Sequence, residues 1–179
     1  MPKYVAFLRA INVGGHTVRM DYLRQLFESL GLSNVETFIA SGNVIFDSAS
    51  KSAKALEKKI ERRLKDELGY EVATFIRSAE EVAAVAAHEP FRGAGRKAEG
   101  QDLYVCFLAD EPGEEATRRL LSLTSEADDF HVHGREVYWL CRKKLSGSGV
   151  SVAKLAKALG AQTTVRNTTT VKKIAEKYS

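Results

Sequence analysis

The order in which strand-like and helix-like stretches follow one another constrains this chain more than any single motif. Residues 3–10 are aromatic and β-branched and read as a strand that ends at the turn Asn12-Val13-Gly14-Gly15. Leu23, Leu26, Phe27 and Leu30 then recur at helical spacing, with Gly31 as the stop. Strands over about 34–40 and 43–47, joined tightly through Ser41-Gly42, form a β-hairpin. A charged helix over 51–69 keeps Leu56, Ile60, Leu64 and Leu68 on one stripe and closes at Gly69. Its other face reads as solvated, with Glu61 and Lys65, and Arg63 and Glu67, at pairing distance. A strand at 71–77 follows, and Ser78 with Glu81 has the capping-box spacing that opens a short helix to His88. The order is βαββαβ plus one helix.

The same order then returns. A strand is predicted at 103–109, a helix at 112–123, and a hairpin over 129–133 and 136–142 turning on Gly134-Arg135. A helix at 150–159 ended by Gly160, a short strand at 162–166 and a last helix at 168–178 complete the second set. The two sets match in order and length, with little residue identity. Between them 89–101 is Gly-rich, basic and aperiodic, which makes it a linker between units at 1–88 and 102–179. Each unit is a split-βαβ, so the predicted class is α+β, a duplicated ferredoxin-like plait with antiparallel sheets and an extra helix per unit. Two right-handed crossovers place both helices on one sheet face. The other face must be solvated, covered or used for binding.

Composition supports a folded globule, since 44% of residues are hydrophobic, 28% are charged and only three are proline. An apolar run approaching about 18 residues is missing, so a membrane span is not expected. Met1-Pro2-Lys3-Tyr4 leads straight into strand-like residues rather than a signal peptide, which gives a cytoplasmic expectation. Cys106 and Cys141 lie in apolar stretches and suit reduced core thiols. The net charge is +4, with 102–142 acidic and 143–179 basic. That asymmetry fits either internal charge complementarity or an anion-binding surface.

Several stretches carry candidate chemistry. In the second hairpin the turn pairs His133 with Glu136 and His131 with Tyr138, so two imidazoles and a carboxylate share a face and could offer N, N and O ligands. Hairpin-tip histidines are usually solvated and no nearby sequence offers a fourth ligand, so no metal or cofactor is expected. His16 follows Gly14-Gly15 and Ser41 sits beside Gly42, but no acid partner stands at a telling spacing, and the catalytic residues stay unassigned. The glycines after the first strand would let backbone N–H groups approach an anion, although neither phosphate-loop pattern is present. In Thr164-Val165-Arg166-Asn167-Thr168, Asn167 or Thr168 can cap the last helix beside an arginine, as an oxyanion would need. Phe7 and Phe46 could stack RNA bases in a plait, but Phe46 falls with Val44, Ile39 and Val35 on the helix-covered face, and both are expected in the core.

The stretch from Tyr4 to Gly15, the segment Val18-Arg19-Met20-Asp21-Tyr22-Leu23-Arg24, the run Ser41 to Phe46, and Thr164 to Lys172 together resemble a bacterial family of uncharacterised proteins, domain of unknown function 1697. Two positions depart from the family pattern: Ala10 stands where a glycine is usual, and Thr168 where an aromatic is frequent. The resemblance implies a duplicated plait-like fold and no agreed activity. Its motif positions correspond to Arg9, Asn12, Gly14, Gly15, Ser41, Gly42, Asn43, Arg166 and Asn167. With Thr168 they make the candidate ligand-binding set. The leading expectation is a binding module for a phosphate-bearing ligand, nucleic acid included. The alternatives are a small-molecule transferase or hydrolase using the same polar groups with His16 as base, and a ligand-free module that forms a homodimer.

Overall fold

The computed structural model describes residues 1–9, 18–38, 42–91, 102–142 and 150–178. Its elements run β1 (Lys3–Leu8), α1 (Met20–Glu28), β2 (Ser33–Thr37), β3 (Asn43–Asp47), α2 (Ala53–Leu68), β4 (Thr74–Ser78) and α3 (Ala79–Ala87). They continue with β5 (Asp102–Phe107), α4 (Glu114–Leu121), β6 (Asp128–His133), β7 (Glu136–Cys141), α5 (Val152–Leu159), β8 (Thr164–Asn167) and α6 (Thr168–Tyr178). The chain divides into one unit of Met1–Ala84 with Ile174–Ser179 and a second of Val85–Lys173. Most of the predicted linker, 92–101, lies outside the described residues.

Each unit holds one four-stranded antiparallel sheet, ordered β2-β3-β1-β4 in the first and β6-β7-β5-β8 in the second. The first and third strands of each unit are therefore central, which is the ferredoxin-like order, and the fold is a duplicated plait of the α+β class.

Strand alternation sets the core of the first unit. Tyr4, Ala6 and Leu8 of β1, with Val44 and Phe46 of β3, pack on Leu23, Leu26 and Phe27 of α1 and on Leu56, Ile60 and Leu64 of α2. The Phe46 ring lies 5.8 Å from both Tyr4 and Phe27. Each large side chain buried this way contributes roughly 1.5–3 kcal/mol. In the second unit Cys106, Leu108, Val137, Trp139 and Cys141 play the same part against Leu120, Leu155 and Leu159. Trp139 Nε1 donates to Asp128 Oδ1 at 2.8 Å, which satisfies the indole inside that core. Both cysteines are free and buried, and burial pushes the Cys106 thiol up to about 12.

The face turned away from these helices is buried as well. Val5, Phe7 and Ile45 in the first sheet, and Val105 and Phe107 in the second, have no exposed surface. Of the three fates open to that face, solvation is excluded at its centre, and Phe7 and Phe46 are both core residues on opposite sides of one sheet.

One part of α2 departs from the solvated face that its charges suggest. Glu57 is buried and accepts from the Ile76 N–H at 2.8 Å, while Glu61 accepts from the Thr74 N–H at 3.0 Å. β4 is an edge strand, and these two carboxylates, one helical turn apart, occupy donors that would otherwise be open to another chain. The pairing of Arg63 with Glu67 is present at 3.8 Å.

Candidate functional site

The register brings out a duplication at the residue level that order and length alone did not reveal. Val5 pairs with Arg77 across β1 and β4, and Val105 pairs with Arg166 across β5 and β8. Tyr4-Val5-Ala6-Phe7-Leu8 therefore stands against Tyr104-Val105-Cys106-Phe107-Leu108, and Thr74-Phe75-Ile76-Arg77-Ser78 against Thr163-Thr164-Val165-Arg166-Asn167. Both arginines lie on the face away from the helices. Both turn Nη1 back onto the carbonyl of the preceding residue, Arg77 to Ile76 at 3.0 Å and Arg166 to Val165 at 3.1 Å. Arg77 is fully buried and was not singled out from sequence; the shared Thr-X-(Ile/Val)-Arg pattern was the signal that could have found it.

In the second unit Arg166 is half-buried and its Nη1 also donates to Thr164 Oγ1 at 2.8 Å. These two oxygens help to fix the guanidinium plane. Burial lowers its pKa to about 10, which still leaves it cationic at neutral pH. The next residue, Asn167, accepts from the Thr169 N–H through Oδ1 at 2.8 Å, and α6 begins at Thr168. Asn167 is therefore the cap. The cation, the cap and the positive end of the helix dipole follow one another along the chain.

The first unit holds the other described members of the predicted set. The Leu8 N–H donates to the Gly42 carbonyl at 2.7 Å, and Phe7 pairs with Asn43, so the end of β1 and the start of β3 share one end of the sheet. Arg9, whose N–H donates to the Ala73 carbonyl at 2.9 Å, follows directly. Gly42 sits at φ 99°, where a side chain is strained. Asn43 is buried; its Nδ2 donates to the Phe38 carbonyl at 3.1 Å and its own carbonyl accepts from the Phe38 N–H. Gly42 and Asn43 thus meet the end of β1, where Arg9 follows with its N–H turned to Ala73, and Asn43 is engaged in holding its own turn. Asn12, Gly14, Gly15 and Ser41, and the proposed base His16, lie outside the described residues. The set falls into two groups in separate units.

Two further charged features are present. A groove of about 400 Å³ in the first unit is lined by Leu30, Lys58, Lys59, Arg62, Arg63 and Asp66, so cations outnumber anions in it. In the second unit His88, just past α3, meets the predicted pair of hairpin histidines. Its ring centroid is 4.1 Å from that of His133, 5.6 Å from His131 and 5.0 Å from Tyr138. Burial holds the His88 imidazole below its usual pKa, His133 and His131 act in the same direction, and Glu136 opposes them. No local pattern around His88 connects it with a hairpin more than forty positions on; only the packing of the residues after α3 does so.

Against this geometry, a family profile described as a protein of unknown function, DUF1697, matches residues 1–138. The chain belongs to the DUF1697 family. The DUF1697 match ends inside β7, so Arg166, Asn167 and Thr168 lie beyond it. The fold is also similar to the structure of a conserved bacterial protein from Streptococcus pneumoniae, at a TM-score of 0.77 and 25% identity over 98% of this chain and 97% of that one. No curated protein matches the chain. Among the described residues no helix is long and apolar enough to cross a membrane.

Proposed function

We propose that the protein is a cytosolic binding module for a phosphate-bearing ligand, anchored in its second unit by Arg166 and the start of α6. The observation that carries this reading is the held orientation of the Arg166 guanidinium, which stays charged and stands one residue before the cap of a helix. Arginine forks match phosphate oxygens, and a helix start adds N–H donors and favourable dipole. The exposed Lys172 and Lys173 on α6 raise the local positive potential. The basic groove beside α2 favours a second reading, in which the phosphates belong to a nucleic acid and are followed by Lys58, Lys59 and Arg62.

The test is binding of a fluorescent nucleoside triphosphate and, separately, of a labelled oligonucleotide, each measured at two salt concentrations. Arg166→Lys keeps the charge but loses the fork, and is expected to weaken triphosphate binding by about 10-fold, the consequence of losing roughly 1.4 kcal/mol. Lys58→Ala with Arg62→Ala should weaken only the oligonucleotide. Triphosphate binding that is salt-insensitive and equal in wild type and Arg166→Lys, with circular dichroism unchanged, would overturn the reading. Light scattering on the same samples separates a 19.7 kDa monomer from a homodimer.

A further inference from the structure

Three imidazoles from two distant segments meet on one face of the second unit. His131 and His133, two residues apart on β6, are on the same side of that strand, with their rings only 16° from parallel. His88 lies close to both, and candidate ligand nitrogens of all three fall within 4.8 Å of one another. A zinc ion bound at about 2.0–2.1 Å in a tetrahedron separates its ligand nitrogens by about 3.3 Å. The remaining contraction is within reach of side-chain rotation at the hairpin tip, where His133 is exposed.

A second observation is independent of this proximity. His88 Nε2 is buried and has no hydrogen-bond partner among the described residues. A buried imidazole nitrogen left in this way is destabilising, and coordination would satisfy it. Glu136, which pairs with His133 across β6 and β7, places a carboxylate beside the cluster, as the surroundings of metal-bound histidines usually provide. Neither cysteine belongs to the group, since Cys106 and Cys141 lie in the core beneath the helices.

We infer that His88, His131 and His133 form a binding site for a divalent transition metal, with three protein ligands and a fourth position open to solvent or to a ligand. Imidazole sets of this kind suit zinc, copper and nickel, and an open fourth position is the arrangement of exchangeable rather than sealed structural zinc. The inference does not depend on the anion site at Arg166.

Zinc itself is the probe. The untagged full chain, stripped with chelator, is titrated with Zn²⁺ against a chromophoric indicator, and cobalt substitution is followed in the visible spectrum. One ion per chain is expected, with tetrahedral cobalt bands and no thiolate-to-cobalt charge transfer. Loss of an outer-shell partner already costs roughly 10–100-fold in metal affinity, so His133→Gln, at an exposed position, and His88→Gln should each cost at least about 100-fold. Arg166→Lys should leave zinc affinity unchanged, which separates this site from the anion reading. No zinc retained above buffer, or equal affinity in wild type and His133→Gln, would show that the rings merely stack and would end the proposal.

Discussion

Asp47 shows how much one carboxylate at the end of a strand can do. Asn34 Nδ2 donates to its Oδ2 at 2.7 Å and Lys3 Nζ lies 3.1 Å from Oδ1, tying β2 and β1 to the last residue of β3. The Asn34 hydrogen bond holds the carboxyl below its usual 3.8; partial burial opposes this and Lys3 assists. A group depressed in the folded state contributes stability that is complete above its unfolded pKa and is lost as pH falls through the folded value. Between about pH 5 and about pH 2, the thermal midpoint of Asp47→Asn should therefore fall less than that of the wild type. Parallel curves for the two proteins would show that the carboxylate carries no linked proton. Asp47 was legible as a strand end, but its partners come from other strands and no local pattern names them.

At the scale of elements, the relation of α2 to β4 is the one that charge patterning misread. Seen as a helix alone, Glu57 and Glu61 belong to an alternating charged surface, and solvation is the reasonable expectation. Sheet order changes that, because β4 has only one neighbour and the N–H groups of Thr74 and Ile76 need acceptors. Replacing Glu57 with Ala would leave the Ile76 donor buried and unsatisfied, at a cost of about 1–3 kcal/mol. Urea unfolding should show that loss. Glu61→Ala, at a half-buried position, should lose less, and a loss below that of Glu61→Ala in the Glu57 variant would remove the edge-sealing role. The capping box that opens α3 was readable from spacing and is present, with the Ser78 N–H donating to Glu81 Oε1 at 2.9 Å and the Glu81 N–H to Ser78 Oγ at 3.1 Å. Capping is local in sequence, whereas edge sealing is not.

For the molecule as a whole, the assignment of Ile174–Ser179 to the first unit means that this unit uses residues from both chain ends. Ile174 is fully buried, the Tyr178 ring meets Phe38 edge-on at 5.7 Å, and Lys177 Nζ lies 4.9 Å above the Phe38 ring. Deleting 174–179 should destabilise the first unit by at least about 2 kcal/mol, the lower range for removing a buried aliphatic side chain. Amide exchange at Phe38, whose N–H donates to the Asn43 carbonyl, should quicken. Unchanged exchange there would show that the first unit does not need the end of α6.

What the sequence determined by itself was the alternation of elements and the faces of its strands. Apolar period, glycine stops and two-residue turns act over a few neighbours, and they were sufficient for both plaits, for the pairing of His131 with Tyr138, and for a core containing Phe46 and Trp139. Tertiary structure decided what those faces meet. Residue 88 comes beside 131 and 133, Arg77 becomes the counterpart of Arg166, and Leu8 reaches Gly42 because antiparallel registers set separations in space that chain distance does not encode. A ligand nitrogen or a buried guanidinium acquires its chemistry from such neighbours, which is why the fold, the Asn167 cap and the hairpin histidines could be read from the letters while the parts of His88 and Arg77 could not.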